Sequence, residues 1–562
     1  MGRPAATLSG QLLAATAWNA LLLPVRVLVA LAASVVYYRL LSLEQVGLLF
    51  LITSLAATLG IHADLGMEKA LPRFLPEVEE RAGRQGVRGL LRRVIGLKLL
   101  ILAPLVLALL ALDGPLRGLL TSRERAEAAS LADRAANLVG SPGASSDASA
   151  LARQAEAKRE LAALIEGWGK TLVAAVGTLL LCGALYDAPM KLLTAFFRQR
   201  SWNLITIVVT LLQPVLLTTF ILAGWRVGGV LLGLVITAAL AVALAWRAAR
   251  RVSAALPQRA GAPDPALGGR FARFALVSYL IQLGHWLTDV DCVVFLAAAL
   301  LGLERVALLG FAAKFARDLL NYVWTPFAGI ITPTLARIHE RGEPAAFREA
   351  HAGLTRMVWL LVFPAGVGLL LLGGRLIEVL YPPYIPARKL ALVFLVSVFA
   401  EALLSVTHAA LMVAERYASL LGARLLALVA LPLAYLLFPS LGAAGLALGI
   451  GLARVAAAVT PLWLARRSLG LRLPAAFLTR VTTASAVLAA AIAPLVWALP
   501  TPSVHSGPLG IALALTPLLL LAAGGAVVYV VALRLLGGIE EADRRRLLEL
   551  PLPLAGRLGR WL

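Results

Sequence analysis

Cysteine is almost missing: the 562 residues contain two, Cys182 and Cys292, each inside an apolar run. That excludes a disulfide scaffold and a cysteine-built zinc site. Charge is scarce too. Charged residues make up 15% of the chain against 60% hydrophobic ones, and the mean hydropathy is +0.86, a balance that excludes a water-soluble globular chain. Acidic residues are the rarer sign, 30 against 52 basic, for a net charge of +22. In a soluble protein that excess would point to nucleic acid. In a chain this apolar it first reports which side of a membrane the loops occupy, and nucleic acid is not an expected partner. No P-loop, metal cluster or nucleophile-base set stands out, and little sequence remains for a catalytic domain in water. The chain reads as a non-enzymatic, polytopic membrane protein with no cofactor beyond a coupling H+ or Na+.

Breaks in hydropathy predict about fourteen transmembrane helices, near 13–38, 44–63, 94–112, 171–196, 202–223, 227–246, 272–298, 306–333, 354–373, 389–412, 417–437, 441–464, 475–498 and 509–535. The runs are long, rich in Leu and Ala, and lack the alternation of a membrane barrel, so the predicted fold class is all-α. Orientation follows from the basic residues of alternate short connections, because positive loops stay cytoplasmic. One set holds 31 Lys and Arg, seven of them in 66–93; the opposite set holds six, Arg39, Arg226, Arg305, Arg375, Arg388 and Lys389. Both termini are then expected in the cytoplasm. The first span, about 26 residues long, exceeds the apolar core of a cleavable signal peptide. The basic tail, with Arg544, Arg545, Arg546, Arg557 and Arg560, is expected to lie on anionic membrane lipids.

Segment 113–170 is the one sizeable hydrophilic insertion, with eight basic and eight acidic residues. Two helical arms, 122–138 and 150–167, flank the breaker-rich GSPGASSDAS at 140–149, which predicts an extracytoplasmic helical hairpin with a mobile tip. It reads as a tolerated insertion rather than a lid or partner site.

The chain also resembles itself. LSLEQVGLLF at 41–50 and LGLERVALLG at 301–310 share six identities in ten positions, Glu44 matching Glu304. Each copy follows a span leaving the cytoplasm and opens the span that returns. Spans 1–6 and 7–12 therefore run in the same direction, as parallel repeats. The expected organisation is a six-helix bundle over 1–250 carrying the insertion, a second over 271–470, two additional helices over 475–536, and a basic tail over 537–562.

Seven basic residues remain inside predicted spans: Arg26, Lys98, Lys191, Lys314, Arg317, Arg424 and Arg454. A charge facing lipid costs about 3 kcal/mol or more, so such residues face a bundle interior, a hydrated cavity, or the interface by snorkelling. Lys98 and Lys191, placed near helix ends, read as snorkellers. The acids inside spans are Asp187, Asp289, Asp291, Asp318 and Glu401. Helical spacing groups several of these charges. Ser278, Gln282, His285, Asp289 and Cys292 follow steps of four and three; Lys314, Arg317, Asp318 and Asn321 share a face; so do Glu401, Ser405, His408 and Met412. Asn19 and Arg26 lie seven apart around Pro24. Such residues can be pairs holding helices together, Lys314 with Asp318 or Arg26 with Asp289. Three polar faces plus Arg424 and Arg454 exceed what adhesion needs. The set Asn19, Arg26, Lys314, Arg317, Arg424 and Arg454 instead reads as a hydrated cationic cavity for an anionic group such as phosphate or pyrophosphate. Asp289, Glu401 and His285 are the candidates for ion coupling, although a lone histidine is more often a hydrogen-bonded structural residue.

Asn19, the run Arg39-Leu40-Leu41-Ser42-Leu43-Glu44-Gln45-Val46-Gly47 and the element Asp64-Leu65-Gly66-Met67-Glu68-Lys69-Ala70-Leu71-Pro72-Arg73 carry a family likeness. In them the chain resembles the polysaccharide-export, or O-antigen flippase, branch of the multidrug/oligosaccharidyl-lipid/polysaccharide exporter superfamily. Lipid II flippases are similar, with fourteen spans and a first-span arginine that Arg26 would match. The resemblance covers 1–100 clearly and 171–470 by span spacing, and leaves 113–170 unmatched. It implies two six-helix lobes in a V, alternating access, and passage of an undecaprenyl-pyrophosphate-linked glycan across the inner (cytoplasmic) membrane. It implies a monomer working beside a glycan polymerase or glycosyltransferases.

A multidrug and toxin extrusion antiporter is the rival on the same fold; it would favour acidic sites for organic cations. A membrane glycosyltransferase or O-antigen ligase is the rival from another class. Asp289-Val290-Asp291 is the acidic pair such an enzyme would need, but it lies in mid-span. A structural scaffold leaves the cationic faces unexplained.

Overall fold

A computed structural model of the chain describes residues 28–138, 145–168, 170–196, 198–259, 261, 264–428, 430–500 and 508–538. Among the described residues the only regular structure is helical. Asn19, Arg26, most of the first predicted span, the hairpin tip at 139–144 and the basic tail lie outside them.

Among the described residues, helices stand at thirteen of the predicted positions and at the described end of the first. Ten are individually long and apolar enough to cross a bilayer, and a bent pair counts as an eleventh. The other three positions hold α1 (Leu28–Leu40), the described end of the first span; α10 (Leu303–Glu340), whose Lys314, Arg317 and Asp318 put three charges within five residues; and the short helices α13 (Tyr417–Leu428) and α14 (Ala430–Leu441). The protein is a multi-pass helical membrane protein.

The chain divides into two compact units, one of residues 36–286 and 294–310, the other of 28–35, 287–293 and 311 onward. In the first, α2 (Leu43–Asp64) begins with a capping box: Ser42 Oγ accepts the Gln45 N–H and Gln45 Oε1 accepts the Ser42 N–H, both at 3.3 Å. The helix ends where Leu65 and Gly66 turn left-handed, φ 46° and 74°. Asp64 then accepts the Glu68 N–H at 3.1 Å and 3.2 Å, capping α3. Gly66 also lets α8 (Leu267–Trp286) approach, since a Cβ there would fall 2.1 Å from the Ala275 carbonyl oxygen. The Ser-Leu-Glu-Gln and Asp-Leu-Gly motifs thus start, stop and dock α2.

Helix α3 (Met67–Leu138) runs 72 residues, interrupted at Gly83 with φ 55° and ψ −149°. Hydropathy marks only its middle. The basic stretch 66–93 continues the span as helix, and 113–138 extends it past the apolar stretch to pair with α4 (Ser145–Trp168), the predicted hairpin. Helices α5 (Thr171–Ala195), α6 (Gln199–Leu222) and α7 (Arg226–Ala254) pack onto this frame. Met67, Leu71, Leu75, Val78, Val94, Ala188, Leu192 and Ala249 form a buried core. The seventh predicted span departs from expectation. It is broken at 287–289 into α8 and α9 (Val290–Leu300), bent by 58°, so the predicted single polar face from Ser278 to Cys292 does not exist as one face.

In the second unit, α11 (Pro344–Leu380), a 3-10 turn (Pro382–Ala387), α12 (Arg388–Val413), α13, α14 and α15 (Ala443–Leu469) pack in sequence-neighbour pairs, with α12 also closely apposed to α15. Helices α16 (Ala475–Ala498) and α17 (Pro508–Leu535) pair with each other and lie on α11 over a core including Leu360, Val481, Leu488 and Tyr529. Tyr529 Oη donates to the Leu360 carbonyl at 2.9 Å.

Candidate functional site

Among the described residues, charges predicted inside the spans form two networks, one per unit. In the second unit, Arg424 of α13, Glu401 of α12, Arg454 of α15, Asp289 at the α8/α9 break and Arg317, Asp318 and Lys314 of α10 form a continuous chain. Arg424 Nη2 donates to Glu401 Oε1 at 3.3 Å. Arg454 lies between two carboxylates, Nε 3.4 Å from Glu401 Oε2 and Nη2 3.6 Å from Asp289 Oδ1. Arg317 Nη1 donates to Asp289 Oδ1 at 3.2 Å, and Lys314 Nζ donates to Asp318 Oδ2 at 2.7 Å. Close approach of α12 and α15 puts Glu401 and Arg454 side by side, and the α9 N-terminus presents Asp289, whose Oδ1 also accepts the Val290 N–H at 2.7 Å.

Six of the nine sequence candidates, Lys314, Arg317, Arg424, Arg454, Asp289 and Glu401, therefore meet. His285 sits in the last turn of α8, in the first unit, and Asn19 and Arg26 are outside the described residues. The sites are not a bare row of cations: arginines and carboxylates alternate. The pairing of Lys314 with Asp318 is present as well. Arg424 and Arg454 are buried, 7% and 4% exposed, yet Arg424 Nη1 and Arg454 Nε have no hydrogen-bond partner among the described residues. The Arg454 Nε contact with Glu401 is an ion pair without hydrogen-bond alignment. Two buried guanidinium donors are left over, and a planar fork of this kind suits a phosphate or carboxylate.

The first unit holds a network that the sequence reading missed. Lys98 Nζ lies 2.6 Å from Asp64 Oδ1 and 3.5 Å from Asp187 Oδ2, and Lys191 Nζ lies 2.5 Å from Glu68 Oε1. Lys98 does not snorkel. It is 1% exposed and lies 31 residues inside α3, because that helix starts at Met67 and not near residue 94. Lys191 likewise reaches a carboxylate. The available signal was spacing: Asp187 and Lys191, of opposite charge, stand at i and i+4 of one helix. A cavity of about 320 Å³ opens beside them, lined by Asp64, Glu68, Lys98, Asp187 and Gln282 among others.

This architecture defines the class, a multi-pass helical membrane protein with a buried charge network in each unit. Among solved structures its fold is shared with "Lipid II flippase MurJ, inward closed conformation", at a TM-score of 0.61 and 12% identity, covering 91% of this chain and 98% of that one. It is shared more distantly with two MATE structures, one in a bent conformation and one in complex with MaD5. Both have a TM-score of 0.50 and 16% identity, covering 83% and 84% of this chain and 98% and 99% of theirs. No protein-family model and no curated protein matches the chain. At these identities the likeness is one of fold.

Proposed function

We propose that the protein is an alternating-access flippase that carries a polyprenyl-pyrophosphate-linked oligosaccharide across the cytoplasmic membrane for cell-surface glycan synthesis. The observation that carries this reading is the pair of buried arginines, Arg424 and Arg454, each with a guanidinium nitrogen lacking a hydrogen-bond partner among the described residues. A buried, unsatisfied, charged donor costs more than about 3 kcal/mol, a cost that an anionic head group offsets on binding. Asp289 and Glu401 hold the guanidinium groups in place and lower the net charge, so that an anion can arrive and leave. Binding that is too tight would stall a carrier. The fold likeness to a lipid II flippase supports the substrate class. The basic residues of alternate loops support cytoplasmic termini, and glycan-building enzymes of the same membrane are the natural partners.

The MATE-type antiporter is the second reading, favoured by the MATE fold likeness and by the carboxylate-lined cavity of the first unit. One assay separates them. Purified protein in liposomes is offered a fluorescent polyprenyl-pyrophosphate glycan or ethidium. The flippase reading expects movement of the glycan, reduced at least about tenfold in Arg424→Gln and Arg454→Gln, and no ethidium movement. Ethidium transport without glycan movement establishes the antiporter instead.

A further inference from the structure

The cluster in the first unit contains three carboxylates, Asp64, Glu68 and Asp187, and two ammonium groups, Lys98 and Lys191. Counted by direct ion pairs, three carboxylates meet two ammonium groups, with Lys69 acting on Glu68 without an ion pair, and an unpaired carboxylate is costly inside a membrane protein. The three carboxylates are not equivalent. Asp64 is 5% exposed, holds Lys98 at 2.6 Å and caps α3 through the Glu68 N–H. Glu68 is tied to Lys191 at 2.5 Å. Asp187 has the loosest contact, 3.5 Å to Lys98, and its side chain is 35% exposed beside the cavity.

The surroundings of Asp187 are accounted for on each side. Asp64 ends α2; Glu68 and Lys98 come from α3; Lys191 and Tyr186 belong to its own helix; Gln282 of α8 is neutral; and α7 contributes Trp246, whose Nε1 donates to the Leu185 carbonyl at 3.0 Å. The position a metal ion would take between Asp64 and Asp187 is filled by the Lys98 ammonium, which leaves a proton as the ion that can balance the third carboxylate. Gln282 Oε1, buried on the cavity wall with no hydrogen-bond partner among the described residues, lacks a donor, and a carboxylic O–H or a water entering with the proton is one.

We propose that Asp187 is the proton-binding group of this transporter. A proton from water in the cavity adds to the Asp187 carboxylate and leaves a cluster in which Lys98 belongs to Asp64 and Lys191 to Glu68. Its release restores the charge on Asp187 and draws Lys98 toward it. The two states differ in the Lys98 contacts between α3 and α5, so proton occupancy biases the packing of the helices that carry them. This rests on the transporter reading above and assigns coupling to the first unit. Asp289 and Glu401 in the second are each already compensated by two arginines.

Difference infrared spectroscopy on the full-length protein tests the site without any substrate. The wild type is expected to show one carboxyl C=O band that appears and vanishes over the pH range of the transport assay. Asp187→Asn, which keeps the direct ion pairs matched and the fold intact, is expected to lack it. In liposomes, Asp187→Asn should keep glycan exchange without a gradient and lose accumulation driven by a pH gradient, with proton flux down at least about tenfold. A band that persists in Asp187→Asn, or unchanged pH-driven accumulation in that variant, overturns the assignment. A band that is lost as expected, in a wild-type protein that moves no glycan, upholds the proton site and overturns the glycan as substrate.

Discussion

Arg454 faces Glu401 with its Nε 3.4 Å from the carboxylate, while the same carboxylate accepts a hydrogen bond from Arg424 at 3.3 Å. One acid on α12 thus steadies two buried bases, on α13 and α15. Removing the acid strands Arg424 and leaves Arg454 with only its longer contact to Asp289, whereas removing Arg454 leaves Glu401 with Arg424 and Asp289 with Arg317. Glu401→Gln is therefore expected to destabilise the protein by about 3–5 kcal/mol. Arg454→Met is expected to cost much less stability and to abolish transport. Thermal unfolding in detergent, compared with liposome transport of the same variants, checks the asymmetry; equal loss of stability in both variants would contradict it.

The two copies of the internal repeat touch. A Cβ on Gly47 of the first copy would fall 2.0 Å from the carbonyl oxygen of Leu303 in the second, and Phe50 packs on Gly310. Backbone cannot yield as a flexible side chain can, so Gly47→Val is expected to cost about 3 kcal/mol or more. Gly89→Val, where a Cβ would meet nothing within 4 Å, is expected to be neutral or slightly stabilising, within about 1 kcal/mol, because valine is the better helix former. The same unfolding measurement on both variants decides this.

The hairpin is locked to the start of α10. Lys158, with its side chain 3% exposed, donates to Glu124 at 2.9 Å and to Glu127 at 2.7 Å, and Glu124 Oε1 accepts the Leu303 N–H at 3.2 Å. Burial works against the lysine's charge, and the hydrogen bonds to Glu127 and Glu124 outweigh it, so its pKa is raised. A raised lysine pKa means stabilisation that is complete at neutral pH and is lost as pH climbs past the ordinary lysine value, about 10.4. Protection over 145–168, taken relative to the base-catalysed intrinsic exchange rate, is expected to fall in strong alkali, and at neutral pH by about a hundredfold in Lys158→Met, which strands Glu124. Unchanged protection would show that the hairpin is held by apolar packing alone.

How far the sequence carried this depends on the kind of signal. Helix positions and the convergent residues Lys314, Arg317, Arg424, Arg454, Asp289 and Glu401 followed from hydropathy and helical spacing, which are local. The 287–289 break was invisible because Leu287-Thr288-Asp289 has no Pro or Gly to mark it. The Asp64–Lys98–Asp187 cluster was missed for two physical reasons. Hydropathy sees only the apolar middle of α3, which moved Lys98 to an apparent helix end, and ion pairs between residues 34 and 89 positions apart depend on packing.

The central claim, an arginine-held anion site, is tested most directly by binding. Titration of the detergent-purified protein with a short-chain polyprenyl pyrophosphate, followed by isothermal calorimetry, should show saturable binding in the wild type. In the double variant Arg424→Gln plus Arg454→Gln, with far-ultraviolet circular dichroism unchanged, binding should weaken at least about a hundredfold. Equal binding of the wild type and the folded double variant would contradict the site.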